Sequence, residues 1–426
     1  MNVLLIGNGG REHAIAYKLS ESKSLKKLYI IPGNPGTASC GENVNLKTDK
    51  DIILSFCKDK NIDLVVIGPE QPLVDGLSDF LLENGFKVFG PSAKASQIEG
   101  DKVFSKNLMK KYKIPTAAFE VFKREEKAKA EEYIRNSKFP LVLKAYGLAA
   151  GKGVLICNNF KEAVNGLKLI FEENAFGDAG EKIVIEEFMQ GEEASVFAIT
   201  DGNDFITLPA AQDHKRIYDN DEGKNTGGMG SYAPAPVITE ELQKEINDTV
   251  ILPTLKAMEA EGCKFSGCLY CGLMITTEGP KVVEFNCRFG DPEAQVVLPI
   301  LQGDFLKLLI SAAEGKLDKS QYKYENKSAV CVVAASAGYP DLYKKGYEIT
   351  GLEKKLNNII VFQAGTKSEG DKIVTSGGRV LGITAVCDEN NIPKCKIMAY
   401  EAIKNINFEG MQFRSDISDK ALKHLK

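Results

Sequence analysis

Four short apolar runs near the start of the chain each stop at a glycine. Val3–Ile6 runs into Gly7, Leu28–Ile31 into Pro32-Gly33, Leu64–Ile67 into Gly68-Pro69, and Val88-Phe89 into Gly90-Pro91. Helical patterns such as Glu12–Leu19 and Asp51–Asp59 lie between them. Continuous apolar strands alternating with helices are stable only as a parallel sheet covered on both faces. The run predicts an α/β fold beginning with an open parallel sheet. Ligands then belong along its carboxyl edge, where the glycines sit.

The 426 residues are enough for about three domains. Gly100-Asp101-Lys102 opens a second unit with a helix over Lys102–Tyr112. Strands Leu141–Lys144, Gly153–Cys157 and Lys182–Glu187 and a helix Asn159–Phe171 follow. The polar run Leu317–Lys327 closes that unit. Strands Ala329–Ala334, Ile359–Phe362 and Arg379–Val386 and a final helix Cys395–Ile406 then suggest a small α+β domain. The expected division is 1–101, 102–327 and 328–426.

Composition excludes several classes. Basic residues number 54 against 58 acidic, a net charge of −4 without a basic block, which argues against a nucleic-acid partner. No apolar stretch approaches the roughly 20 residues of a membrane span. The N-terminus reads as a strand rather than a signal peptide. A soluble cytoplasmic protein is expected, and a monomer, because nothing marks a coiled coil or an exposed apolar face. Of ten cysteines, Cys268 and Cys271 have the C-x-x-C spacing. With no second pair and only three histidines, they read as part of a buried strand rather than a zinc site.

The segment Val282-Val283-Glu284-Phe285-Asn286-Cys287-Arg288-Phe289-Gly290-Asp291-Pro292-Glu293 carries the chemistry. On a strand, Glu284 and Asn286 share a face. A carboxylate beside an amide oxygen suits Mg²⁺ that also carries substrate phosphates. Arg288 adds a planar fork for an anion, or bridges carboxylates such as Asp291. Gly7-Asn8-Gly9-Gly10-Arg11-Glu12-His13 lets the backbone and a helix N-terminus approach a phosphate. A dinucleotide site needs a third glycine where Glu12 stands, and an acidic residue after the second strand, where Ile31-Pro32-Gly33-Asn34 has none. The loop Lys144–Val154 resembles a P-loop but is one residue short, and Gly153 replaces the metal-binding hydroxyl. It reads as a glycine flap, including Gly151, over a triphosphate, with Lys144 as the fixed phosphate contact. Backbone groups around Glu186, Glu187 and Phe188 have the spacing for an adenine, and Glu193 for a ribose diol.

Together with Gly68-Pro69-Glu70-Gln71-Pro72-Leu73, Gln212-Asp213-His214-Lys215-Arg216, Asn225-Thr226-Gly227-Gly228-Met229-Gly230, Ala364-Gly365-Thr366-Lys367 and Gly377-Gly378-Arg379-Val380, these segments resemble the ATP-grasp superfamily. Within it they resemble the glycinamide ribonucleotide synthetases (phosphoribosylamine–glycine ligases), over the whole chain and in the family's order. One departure is Tyr146, where the family pattern has an aspartate at the base of the flap. The resemblance implies a carbon–nitrogen ligase of purine biosynthesis with ATP and Mg²⁺ (or Mn²⁺), acting on glycine and 5-phosphoribosylamine through a glycyl phosphate. It implies a central ATP-grasp domain whose lid spans about 122–190. Its implied roles are metal binding by Glu284 and Asn286, and phosphate contacts by Lys106 and Lys144. Adenine and ribose go to Glu186, Phe188 and Glu193, and the glycine carboxylate to Arg288. Asn8, Gly9, Gly10, Pro69 and Glu70 take the ribose phosphate of phosphoribosylamine. Asp213, Lys215, Gly227 and Gly228 line the shared crevice, with Asp213 either orienting the ammonium of glycine or closing a structural turn. The rivals are a bicarbonate-using carboxylase of the same superfamily and a non-catalytic nucleotide sensor.

Overall fold

The computed structural model describes residues 1–148, 153–173, 177–354 and 356–425. Its first layer is a five-stranded, all-parallel sheet of Asn2–Gly7, Lys27–Pro32, Glu42–Asn43, Leu64–Ile67 and Val88–Phe89. In space their order is third, second, first, fourth, fifth. Strand order therefore reverses between Asn2–Gly7 and Leu64–Ile67, and a crevice opens at their carboxyl ends. Alternate residues of these strands feed two cores. Leu4, Ile6, Val65 and Ile67 enter one, and Val3, Leu5, Leu64 and Val66 the other. Glu42–Asn43 has only two residues, too short for a hydrophobic signal.

Two four-stranded sheets follow. One, ordered Phe119–Lys123, Lys182–Glu187, Leu141–Ala145, Val154–Cys157, carries helices Lys127–Arg135 and Phe160–Phe171 on its apolar face. The other is ordered Phe205–Thr207, Glu192–Thr200, Gly267–Thr276, Gly279–Asn286 and is antiparallel throughout. Cys268 and Cys271 lie in this second sheet, three residues apart and so on opposite faces, each in a different core. All ten cysteines are free thiols.

The last sheet has six strands: Gln212–Asp213, Gly230–Ala233, Ser328–Ser336, Arg379–Cys387 and Ile359–Gln363, with Met411–Gln412 paired to Ser328–Ser336. Two of its strands come from well before the polar run Leu317–Lys327, so the sheet is not confined to the C-terminal segment. Its covering helix is Ile392–Ile403, three residues earlier than the pattern suggests. Asn391 accepts from Lys394 N–H (3.0 Å) and Pro393 lies in the first turn, which together set the start.

His13 ties the first helix, Gly10–Ser20, to this sheet. Its Nδ1 accepts from Gln363 N–H (2.9 Å) and its ring meets Phe362 edge-on at 5.3 Å. Burial pushes the imidazole down to about 4. An unfolded histidine takes a proton near pH 6.5, and the native one does not. Stability is therefore full above that pH and falls as the pH drops towards 4, by up to about 3 kcal/mol from this group. His214, pushed to about 3 by burial, adds the same sign. Urea midpoints at pH 7 and pH 4.5 should show a steep acid loss, and His13→Gln should flatten it. An equal loss in both proteins would remove His13 from the account.

Candidate active site

A cavity of about 500 Å³ lies between the two four-stranded sheets and reaches the carboxyl edge of the parallel sheet. Its oxygen wall comes from Gly279–Asn286. Here Gly272 faces Glu284 and Leu273 faces Val282, so Val283 is an extra, unpaired residue. This bulge shifts the alternation by one. Val282 and Phe285 point to the core while Glu284 and Asn286 reach the cavity. Glu284 makes no hydrogen bond or ion pair among the described residues. Burial opposes its ionisation, but Lys215, Lys144, Lys102 and Arg288 outweigh that and hold the carboxyl below its usual range. Asn286, with its amide turned to satisfy both atoms, donates to Phe285 O (2.8 Å) and accepts from Arg288 Nη1 (3.2 Å). A cation claiming that oxygen takes it from Arg288. No cluster of three or more His, Cys, Asp or Glu suited to a metal occurs among the described residues. Two hard oxygens in a cationic cavity fit a divalent ion that shares its shell with phosphates.

The cationic wall faces it. Lys144 Nζ and Lys106 Nζ lie 3.0 and 3.1 Å from the same Glu186 oxygen, with all three side chains at most 5% exposed. Lys144 also donates to the bulged Val283 O (3.0 Å), and Lys106 to Thr116 Oγ1 (2.7 Å). Burial pulls Lys106 down to about 8, partly countered by Glu186. The other Glu186 oxygen is buried without a partner among the described residues. Such an orphan is rare in a finished structure and suits an incoming donor. Glu186 therefore reaches the site through its side chain, a role the backbone reading did not include. Glu187 exchanges backbone N–H and carboxylate contacts with Ala118 (2.9 and 3.0 Å), which fixes the strand end beside exposed Phe188.

Arg288 is tightly held. Nη2 donates to Glu99 (2.7 Å), Nε to Glu70 (3.3 Å) and Nη1 to Phe289 O (3.1 Å). The carboxylates it bridges are thus Glu70 and Glu99, not Asp291, which pairs with Arg379 (3.3 Å). Burial raises Glu99, with Arg288 pulling the other way. Lys215 pairs with Glu193. Asp213 is 8% exposed, and burial pushes its carboxyl up to about 7, with Lys215 opposing and Glu293 and Glu193 adding to the rise. Gly227 N–H donates to Tyr339 OH (2.9 Å), and Arg379 donates to Gly227 O (2.6 Å). Gly228 has φ +112°, and a Cβ there would stand 2.4 Å from Pro292. Buried Arg414 braces the hairpin that carries Asn225-Thr226-Gly227, through Asp221 (2.9 Å) and Arg216 O (3.0 Å).

The glycine turn at the first strand departs from its expected use. A Cβ on Gly7 or Gly68 would meet the Glu12 side chain at 2.4 and 2.3 Å. Gly9 N–H, expected to face a phosphate, donates to Glu12 Oε2 (2.7 Å), and Arg11 Nε closes the other oxygen (2.6 Å). The residue that spoils the dinucleotide pattern thus fills the crevice with its own anion. Asn8 is exposed, with its carbonyl bound to Asn34 (2.8 Å). Gly10 backs onto Gln295, where a Cβ would come within 2.6 Å. Pro69 caps the short helix bearing Glu70.

Of the residues singled out from sequence, Glu70, Lys106, Lys144, Glu186, Glu187, Phe188 and Glu193 line the cavity. So do Asp213, Lys215, Gly227, Glu284, Asn286 and Arg288. Asn8, Gly9, Gly10, Pro69 and Gly228 stand outside its lining, and Gly151 lies outside the described residues. Sequence reasoning missed Arg11, Glu99, Lys102, Tyr270, Glu293 and Arg379 as lining residues. Arg379 and Glu293 lay inside flagged segments without a role, while Glu99 and Lys102 flank Asp101 with no motif. Lys102 holds the base of the flap, through its N–H to Tyr146 O (2.8 Å) and its Nζ to Gly147 O (2.7 Å). Tyr146, the departure at that base, stacks under the Lys182 ammonium at 5.2 Å.

Three family models cover the chain: the phosphoribosylglycinamide synthetase N domain over 1–99, its ATP-grasp (A) domain over 100–294 and its C domain over 329–420. A phosphoribosylamine–glycine ligase of Brucella melitensis is 48% identical, spanning 100% of this chain and 99% of its own. One from Caldanaerobacter subterraneus is 46% identical over 98% of this chain and 99% of its own. Among solved structures, the phosphoribosylamine–glycine ligase of Thermotoga maritima superposes with a TM-score of 0.84 at 37% identity, over 98% of this chain and 100% of that one. The biotin carboxylase domain of a Hydrogenobacter thermophilus 2-oxoglutarate carboxylase shares the fold alone, with a TM-score of 0.74 at 16% identity, over 97% of this chain and 91% of that one.

Proposed function

The chain belongs to the phosphoribosylglycinamide synthetase family, and on that premise we propose how its cavity joins glycine to 5-phosphoribosylamine with ATP, giving glycinamide ribonucleotide, ADP and phosphate for purine synthesis. The observation that carries the reading is the pairing of two buried lysines on one wall with two hard oxygens on the other.

Glycine's carboxylate is a poor electrophile. Its oxygen attacks the terminal phosphorus of ATP and releases ADP, and the amine of phosphoribosylamine then displaces phosphate from the glycyl phosphate. No side-chain nucleophile is needed, so catalysis rests on placement and charge neutralisation. Glu284 and Asn286 would hold Mg²⁺ (or Mn²⁺), which would supply neutralisation of phosphate charge. Lys106 and Lys144 take the phosphates, with Gly151 in the flap. Glu186, Glu187, Phe188 and Glu193 hold adenine and ribose. Arg288, clamped by Glu70 and Glu99, turns its remaining Nη2 hydrogen to a substrate oxygen. Lys215 and Asp213 flank the reacting amino acid. Asn8, Gly10 and the Pro69-Glu70 turn take the phosphoribosylamine end, with Gly227 and Gly228 on the far side of the crevice. An acyl phosphate must be kept from water, which assigns the segment of about 122–190 to a lid. Ten free thiols suit a reducing cytoplasm, and the protein is taken as a monomer. Among the described residues no helix is long and apolar enough to cross a membrane.

A coupled ADP assay with each co-substrate omitted in turn tests this. ADP should form steadily only with glycine and phosphoribosylamine together, and bicarbonate should drive none. Release of ADP on bicarbonate alone would replace the ligase reading with a carboxylase.

A further inference from the structure

Among the described residues, strands Arg216–Tyr218 and Glu222–Asn225 pair only with each other, with a shift of register, and join no larger sheet. A two-stranded hairpin on its own is marginally stable in water. Its turn is strained as well, because Asn220 and Asp221 take φ of +60° and +56° without being glycine. Yet this hairpin grows straight out of the cavity wall. Asp213 and Lys215 precede it, Asn225, Thr226 and Gly227 end it, and all five line the cavity. Lys215 O accepts from Thr226 N–H (2.7 Å) and Thr226 Oγ1 (2.8 Å), which ties the two feet together.

The segment Met411–His424 supplies what the hairpin lacks. It holds each residue of the turn Asp219–Asp221. Asp219 Oδ1 accepts from Ser415 N–H (2.8 Å), and Asn220 N–H donates to Asp416 Oδ2 (2.9 Å). Asp221 takes both Arg414 Nη1 (2.9 Å) and Lys420 Nζ (2.8 Å). Arg414 is the centre of this strap. Its side chain is 1% exposed, grips both oxygens of Asp416 (2.7 Å each), and donates to Arg216 O (3.0 Å), one residue from Lys215. The strap is anchored in its turn. Tyr400 OH donates to Arg414 O (2.6 Å), Gln412 Nε2 donates to Ser336 O (2.9 Å), and Ile417 and Ala421 are buried in the core under Ser328–Ser336 and Arg379–Cys387.

Resting on the ligase reading, we propose that Arg414 is a positioning residue for the reaction: through Asp221 and the Arg216 carbonyl it sets the hairpin whose feet carry Lys215 and Gly227. Arg414 is not among the residues that line the cavity, so it acts only through the hairpin. A planar guanidinium can span the three acceptors at once, whereas a lysine ammonium is a point charge on a flexible stem. A reaction that rests on placement is sensitive to small shifts of its walls. A turn pinned from outside fixes both feet where no neighbouring strand does.

Two variants test this from either end. Arg414→Lys keeps the charge and loses the fork. Asp221→Gly removes two strap bonds at a side chain that is 41% exposed, tolerates the positive φ, and covers the case in which Arg414→Lys folds poorly. In both, kcat at saturating substrates and room temperature should fall by about tenfold or more, since a misplacement of about 1 Å remote from the chemistry can cost a hundredfold. Kd for MgATP, measured by calorimetry, should stay within about twofold. Backbone amides of residues 215–227 should exchange faster with D₂O while those of the parallel sheet keep their rates. Glu222→Gly is the control: exposed beside the same turn, with no side-chain bond among the described residues, it should stay within about twofold of the parent. A parent-like kcat in either folded variant would overturn the proposal. So would a loss of thermal stability without a loss of kcat, a weakening of MgATP binding that matches the fall in kcat, or an equal fall in Glu222→Gly. If the parent makes no ADP from glycine and phosphoribosylamine, the ligase reading fails instead, and hydrogen exchange still decides whether Arg414 holds the hairpin.

Discussion

Glu284→Ala should leave a folded protein that makes almost no ADP. The carboxylate has no hydrogen bond or ion pair among the described residues, so its loss breaks no internal network. Four cations around it lose a favourable neighbour, a modest cost to the fold. For turnover the effect is large. Removing one preorganised charge from such a site typically costs about 3–4 kcal/mol of barrier, or several hundredfold in rate. Glu284→Gln should be nearly as poor, because the neutral amide is a weak ligand for a hard cation. Turnover measured across a Mg²⁺ series decides the matter. Both variants should need far more Mg²⁺ and still reach a low plateau. A variant that turns over like the parent at low Mg²⁺ would move the cation site elsewhere and would favour a nucleotide sensor.

The second large effect belongs to Glu186→Ala. This residue is the shared counter-ion of Lys106 and Lys144, at 3.1 and 3.0 Å, with no more than 5% of any of the three side chains exposed. Breaking a buried charge cluster by removing one member typically costs about 3–5 kcal/mol. Lys106 then sheds its proton more readily, because burial already draws it down to about 8. Phosphate oxygens can replace the lost carboxylate. Thermal unfolding with and without saturating MgATP should therefore show a strongly destabilised apo variant that nucleotide rescues by more than it stabilises the parent. For the parent, ordinary linkage at a hundredfold excess over Kd gives about 2.7 kcal/mol. Equal melting of variant and parent, with equal gain from MgATP, would show that Glu186 does not hold the two lysines.

Much of this architecture is readable from spacing alone. The parallel sheet follows from four buried runs ending in glycine, and its order needs only short crossovers. Glu284 and Asn286 share a face because a strand repeats every two residues. What spacing cannot reveal is the bulge at Val283, which decouples Val282 from that face and sends Glu284 into the cavity. Nor does a glycine turn declare what fills it: Gly7, Gly9 and Gly68 make way for Glu12 rather than for a ligand. Glu99 and Glu293 were invisible for a different reason. Glu99 meets Arg288 across 189 residues of chain, and Glu293 meets Ser195 across 98. Glu99 lies in no local motif, and Glu293 closes one without a stated role, so tertiary packing alone declares what either one touches. Tyr146 shows the same limit, since its partner Lys182 arrives from another strand.

The sheet that shelters Asp213 has a bearing on how the molecule is made. Gly230–Ala233, paired on one side with Gln212–Asp213, finds its other neighbour in Ser328–Ser336, and that strand in turn pairs with Arg379–Cys387. During synthesis the chain leaves the ribosome from its N-terminus, and domains usually settle as they emerge. Here the wall behind Asp213 has to wait until nearly the whole polypeptide is out. The parallel sheet can close early, yet the catalytic chamber is completed last, so a nascent chain stalled before Ser328 has no finished chamber.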